Sequence, residues 1–277
     1  MKIVLLFYRM YYRILDRLVP RIAADGVFRI MSKPRLKKFR PFEMEVLEKA
    51  HQSRIPYKGF QLQCYEWGTR GGERVFIVHG WEGHTGNFGA VVDRLVEKGY
   101  HVIGFDAPAH GRSSKGRANM FIYADFISAM LKVYKPTRVI SHSLGSVNSV
   151  RALRANPEIS IDQWVLITTP MSFKEAVDDA RRILGFSERT EKHLIQRIEQ
   201  ERSERYSEMN MPFYFERIPH VKEVLMVHSI DDKILPIESS RHLQERFPQT
   251  ELIELNGLGH YRILWSEEVQ VLINERF

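Results

Sequence analysis

Arg138-Val139-Ile140-Ser141-His142-Ser143-Leu144-Gly145-Ser146 runs from a short apolar stretch into small residues, and Val147 to Asn156 continues it as a helical pattern. A brief apolar run of this kind is what a strand buried on both faces requires. Small residues two before and two after Ser143 permit a tight strand-to-helix turn that presents a serine hydroxyl above a sheet. A serine in such a place can also do no more than cap the helix.

The same kind of run recurs at Gln61 to Trp67, Arg74 to Val78, Val102 to Phe105, Trp164 to Ile167, Val224 to Val227 and Leu252 to Leu255. Helical stretches alternate with them at Phe88 to Lys98, Met120 to Tyr134, Ser239 to Phe247 and Glu267 to Arg276. Strand and helix in succession predict an α/β fold, a mainly parallel sheet with helices on both faces and a site at the carboxyl ends of strands. The rhythm breaks between Pro170 and Lys222, where Phe173 to Leu184 and Ser187 to Arg205 are helical and highly charged. A small helical cap at about 171–221 is expected there, with residues 57–277 forming the domain that carries it.

The chain has 277 residues, 44% of them hydrophobic, and a formal net charge of +7. Its single Cys64 excludes an internal disulfide framework and favours a reducing, cytoplasmic setting. Residues 1–40 contain 11 basic and two acidic residues, a balance of +9, which leaves −2 for the other 237. A nearly neutral body is not what a nucleic-acid channel needs, so no nucleic-acid partner is expected. Residues 1–56 read as a basic helical N-terminal arm in which Arg9, Arg13 and Arg17 recur at four-residue spacing among apolar residues from Ile3 to Val19. The run from Ile3 to Tyr8 is too short to span a bilayer. Two readings of the arm stay open: a helix docked on the domain, or residues 1–19 resting on an anionic membrane surface as a peripheral anchor.

Ser141-His142-Ser143-Leu144-Gly145 resembles the nucleophile elbow G-x-S-x-G of α/β-hydrolases, with Ser141 in the place of the first glycine. Val75-Phe76-Ile77-Val78-His79-Gly80-Trp81 is similar to the family's strand and oxyanion loop, which implies that the backbone N–H groups of Trp81 and Leu144 form the oxyanion hole. Asp106-Ala107-Pro108-Ala109-His110-Gly111-Arg112-Ser113 looks like the structural loop D-x-P-G-x-G-x-S, with Ala109 replacing a glycine; no catalytic role is implied for Asp106 or His110. His228 to Pro236 resembles the segment that carries the family's acid. Its spacing selects Asp232, with Asp231 as the alternative. The Gly-rich stretch Asn256 to Gly259 leads to His260, the implied general base.

The resemblance covers residues 57–277 and implies a serine hydrolase with Ser143, Asp232 and His260 as its triad, similar to esterases, monoacylglycerol lipases and serine aminopeptidase-like proteins. The implied chemistry is cleavage of a small-molecule carboxylic ester or thioester through an acyl-enzyme, without cofactor. No metal is expected, because no His-Glu-x-x-His or close ligand pair occurs. Two alternatives accompany it. Amide hydrolysis of the aminopeptidase type needs an amine anchor, for which Glu199, Glu201, Glu204 and Glu208 are available, and a non-catalytic binding member of the fold would keep the loops without turnover.

Overall fold

The structure is a computed structural model that describes residues 2–35, 39–202 and 204–277, with the side chains of Lys2 and Ile3 left aside. Lys37 and Lys38 of the basic arm lie outside the described residues. The chain begins with three helices, α1 (Lys2–Leu18), α2 (Pro20–Met31) and α3 (Pro41–Glu48), followed by the strands β1 (His51–Tyr57), β2 (Phe60–Trp67) and β3 (Arg74–Val78). Then come α4 (Gly89–Glu97), β4 (His101–Phe105), α5 (Met120–Tyr134), β5 (Arg138–His142), α6 (Leu144–Arg154) and β6 (Ile161–Ile167). The insertion contributes α7 (Phe173–Leu184), α8 (Glu188–Gln200) and α9 (Met211–Phe215). The chain closes with β7 (Val221–Ser229), α10 (Glu238–Arg246), β8 (Glu251–Leu255), α11 (Gly259–Arg262) and α12 (Glu267–Arg276).

The eight strands form one sheet in the order β1-β2-β4-β3-β5-β6-β7-β8, antiparallel at the β1–β2 and β2–β4 pairs and parallel elsewhere. Alternation along the strands feeds two cores. Phe76, Val78, Trp164 and Leu166 point to the face covered by α2, α5, α6 and the cap, while Val75, Ile77, Val165 and Ile167 meet α3, α4 and α12 on the other. Apolar side chains on both faces are the reason the expected runs lack polar alternation.

The N-terminal region corrects the expected boundary between 56 and 57. His51-Gln52-Ser53-Arg54-Ile55-Pro56-Tyr57 is an edge strand paired with β2 along its whole length. Its polar sequence hides it, and Pro56 is tolerated because one side of an edge strand needs no donor. Lys58 and Gly59, both at positive φ, make the tight turn that joins the pair. Nor do the preceding helices stand apart. Ala23, Ala24 and Val27 of α2 are buried against α8, and Val46 and Leu47 of α3 belong to the opposite core. Helix α1 lies on α7, where Tyr12 and Asp16 are buried, and the Asp16 carboxylate accepts the N–H and hydroxyl of Ser187 at 3.1 and 2.8 Å. These contacts dock the helices of the arm on the domain.

Candidate active site

The turn from β5 to α6 places Ser143 at φ +54° and ψ −130°, a conformation that a residue with a side chain adopts only when its surroundings impose it. Here the surroundings are backbone. The Ser143 N–H donates to the carbonyls of Ile167 and Thr168 at 3.1 and 2.8 Å. A Cβ built on Gly145 would lie 2.6 Å from the carbonyl oxygens of Val78 and His79, so only glycine lets α6 pack this closely on β3. One on Gly80 would lie 2.9 Å from Ser143 Cβ, which brings the loop after β3 directly against the serine.

Ser141 needs no positive φ. Its side chain is fully buried, its hydroxyl accepts the indole N–H of Trp164 at 2.8 Å, and it shares a 2.9 Å hydrogen bond with Ser146. The departure from glycine is therefore matched by a polar partner beneath the turn. Ala109, the other departure, sits at φ +67° without glycine's freedom. Helix α6 begins at Leu144, three residues earlier than its pattern suggests. As first helical residue, Leu144 has an N–H that the helix itself cannot use.

The loop carrying Trp81 is held from behind by a neutral histidine. His79 Nδ1–H donates to the Gly80 carbonyl at 2.8 Å, its Nε2 accepts the Ala107 N–H at 2.9 Å, and the Tyr123 hydroxyl donates to its carbonyl at 2.8 Å. Burial pushes the imidazoles of His79 and His110 down to about 3, which keeps both uncharged. Asp106 is a structural group: its two oxygens accept the N–H groups of Thr85 and Arg112 and the hydroxyl of Tyr65. Arg35, from the segment after α2, forks onto the Glu82 carboxylate at 2.7 and 2.9 Å and so reaches the same loop.

At the ends of β7 and β8 the two adjacent aspartates separate by role. Asp232 Oδ2 accepts His260 Nδ1–H at 2.8 Å, while its Oδ1 accepts the N–H groups of Ile234 and Leu235 at 2.7 and 3.0 Å. Burial alone would raise its pKa; the hydrogen bond and charge of His260, with the two N–H groups, outweigh that and hold the carboxyl below its ordinary value. Asp231 instead accepts the Ser229 hydroxyl at 2.5 Å and the Gly259 N–H at 3.2 Å, fastening the approach to His260.

His142, next to Ser143, was not singled out by any motif. Its Nε2–H donates to the His260 carbonyl at 2.9 Å, and the two rings lie 4.8 Å apart. The elbow and the histidine loop, 118 positions apart in sequence, are tied at this point. Burial, and then the neighbouring His260, keep the His142 imidazole neutral. Ser229, also unflagged, accepts the N–H groups of Leu258 and Gly259 at 3.3 and 3.0 Å. No local pattern marks either residue, because each acts on a distant loop.

Other features do not converge here. A charged cleft of about 810 Å³ lies between α2 and α8, lined by Arg21, Asp25, His193 and Arg197, away from the strand ends. Cys64 is buried and its thiol is pushed up to about 11. Among the described residues, no group of three or more His, Cys, Asp or Glu side chains is placed to hold a metal ion.

A strained serine at a strand end, a glycine loop against it and a histidine bonded to a late aspartate occur together in the α/β-hydrolase fold. The sequence model described as "Serine aminopeptidase, S33" matches residues 72–211, half of the chain. The chain belongs to this family of α/β-hydrolases. It is 27% identical over 136 residues to a human serine hydrolase-like protein, covering 47% of this chain and 66% of that one. It is also 27% identical over 154 residues to a proline iminopeptidase of Clostridioides difficile, covering 52% of each. The chain thus spans less than two-thirds of the length of the curated relatives it matches. An esterase of Pyrococcus furiosus shares its fold with a TM-score of 0.64 at 18% identity, covering 88% of this chain and 96% of that one. A thioesterase domain from the curacin biosynthetic pathway does so at 0.62 and 17%, covering 81% and 99%.

Proposed function

We propose that the protein is a serine hydrolase that cleaves carboxylic esters or thioesters through an acyl-enzyme, with Ser143 as nucleophile, His260 as general base and Asp232 as its orienting acid. The observation that carries this reading is the bond from His260 Nδ1–H to a buried carboxylate. It fixes the tautomer in which Nε2 is free of its proton and able to take one from a serine hydroxyl. Ser143 Oγ attacks the carbonyl carbon as its proton passes to His260. The imidazolium that forms is stabilised by Asp232 and returns the proton to the leaving alcohol or thiol. Water, deprotonated by the same His260, then releases the acid. The negative oxygen of each tetrahedral intermediate is held by the N–H groups of Trp81 and Leu144, whose loop is stiffened by His79.

Ester cleavage is favoured over aminopeptidase chemistry because three of the cap carboxylates suited to an amine are already engaged. Glu204 pairs with Arg151 at 2.7 Å and accepts the Tyr214 hydroxyl, Glu201 pairs with Arg197, and Glu199 accepts the Tyr206 N–H. Amide hydrolysis is the second reading, favoured by the family match and the proline iminopeptidase relative. Turnover of short p-nitrophenyl esters, set beside a panel of aminoacyl naphthylamides, separates the two. Ser143→Ala is expected to abolish turnover and labelling by a fluorophosphonate probe; a variant still labelled, or an inert wild type, overturns the proposal.

A further inference from the structure

Helix α1 is docked with the opposite sense from most surface helices. Its covered side holds Tyr12, Asp16 and Arg9, while its outward side presents Val4, Phe7, Met10, Tyr11, Ile14 and Leu18. Phe7 is 67% exposed and Leu18 73%. Positions 4, 7, 11, 14 and 18 follow a three-and-four spacing, so they form one continuous apolar stripe along a helix of about 25 Å. Ile22 and Ile30 of α2 are exposed as well. Such a stripe facing water along a whole helix marks a surface that something else covers.

Charge identifies what covers it. Arg13, Arg17, Arg21 and Arg29 are exposed on the same two helices, and Lys33 is exposed just after α2. Their two acids are engaged elsewhere, Asp16 by Ser187 and Asp25 by Arg197. A second copy meeting the same patch about a two-fold axis would bring these cations together. An anionic lipid surface takes apolar side chains below its headgroups and arginines among them, with Tyr8 and Tyr11 at the boundary. Among the described residues no helix is long and apolar enough to cross a membrane, so the contact lies in the plane of the surface.

We propose that the outward face of α1, with the adjoining cations of α2, is a docking surface for anionic lipid headgroups that seats the cap side of the hydrolase on a membrane. Co-sedimentation of the full chain with phosphatidylcholine vesicles, and with vesicles containing roughly one-third phosphatidylglycerol, tests this. Binding to the anionic vesicles is expected to be at least about tenfold stronger and to fall as salt rises. Phe7→Asp combined with Ile14→Asp should weaken it by about tenfold or more, with circular dichroism and the thermal midpoint unchanged because both side chains are exposed. Absence of binding, or equal binding by the variant, overturns the proposal. So does a dimer in sedimentation velocity that the double variant dissociates and that ignores vesicles, since the face would then belong to a second copy.

Discussion

Asp232→Asn discriminates most sharply between a working triad and a fold that merely resembles one. The two oxygens of Asp232 face different donors: Oδ1 accepts two backbone N–H groups, and Oδ2 accepts His260 Nδ1–H. In the variant the amide oxygen must stay on the Ile234 and Leu235 N–H groups, because an amide NH2 there would face two donors. Its NH2 then points at His260 Nδ1, which has to become an acceptor, and the ring proton moves to Nε2. That tautomer cannot take the proton of Ser143. Serine hydrolases lose about 10⁴-fold in kcat to the same change elsewhere, ~5.5 kcal/mol of transition-state stabilisation, and a loss of that order is expected here. Since the backbone bonds survive, the variant should still fold, with its thermal midpoint lowered by loss of the carboxylate charge from the His260 bond. Asp231→Asn is the control: its amide oxygen keeps both the Ser229 and the Gly259 donors, so kcat should fall less than about tenfold. Steady-state hydrolysis of p-nitrophenyl butyrate by the three proteins measures both. A loss below about tenfold for Asp232→Asn, or equal losses for the two variants, would refute the assignment of the acid.

Stability should fall on mild acidification. His79 and His110 are held neutral with values near 3, whereas the unfolded chain protonates them near 6.5, so below about pH 6.5 the unfolded state binds more protons. The loss at pH 5 is on the order of 2 kcal/mol per histidine, to be read from urea midpoints at pH 7 and 5; a flat profile contradicts their neutral burial. Asp232, whose folded value is lowered, adds stability that is present above about pH 4 and lost as pH falls through that folded value. Ser141→Gly, which restores the more familiar elbow sequence, should destabilise the protein by about 1–3 kcal/mol, because the buried Trp164 N–H loses its acceptor. Differential scanning calorimetry measures it, and an unchanged or raised midpoint counts against the role given to Ser141.

The parallel strands, the elbow, the structural loop at Asp106 and the helical insertion after Ile167 were legible because each is a local pattern. A strand buried on both faces has to be apolar throughout, and a close turn has to be built from small residues. The edge strand β1 was not legible, since only part of one face is covered and its sequence HQSRIPY carries no apolar run. The start of α6 was also misplaced, because Leu144 and Gly145 read as turn until the packing against β3 is known.

By itself, the sequence of this protein determined the α/β class and the segments that meet at the strand ends, because those depend on neighbours a few positions apart. Spacing could also prefer Asp232 over Asp231, but adjacent carboxylates on one loop differ only in what lies across from them. Tertiary structure decided that Asp232 meets His260 while Asp231 holds the loop, and that His142 ties the elbow to the His260 backbone. It also decided which side of α1 faces outward. An amphipathic helix specifies that it has two faces; what it packs against determines which of them meets water. Here the cap helix α7 covers the polar side and leaves the apolar one exposed.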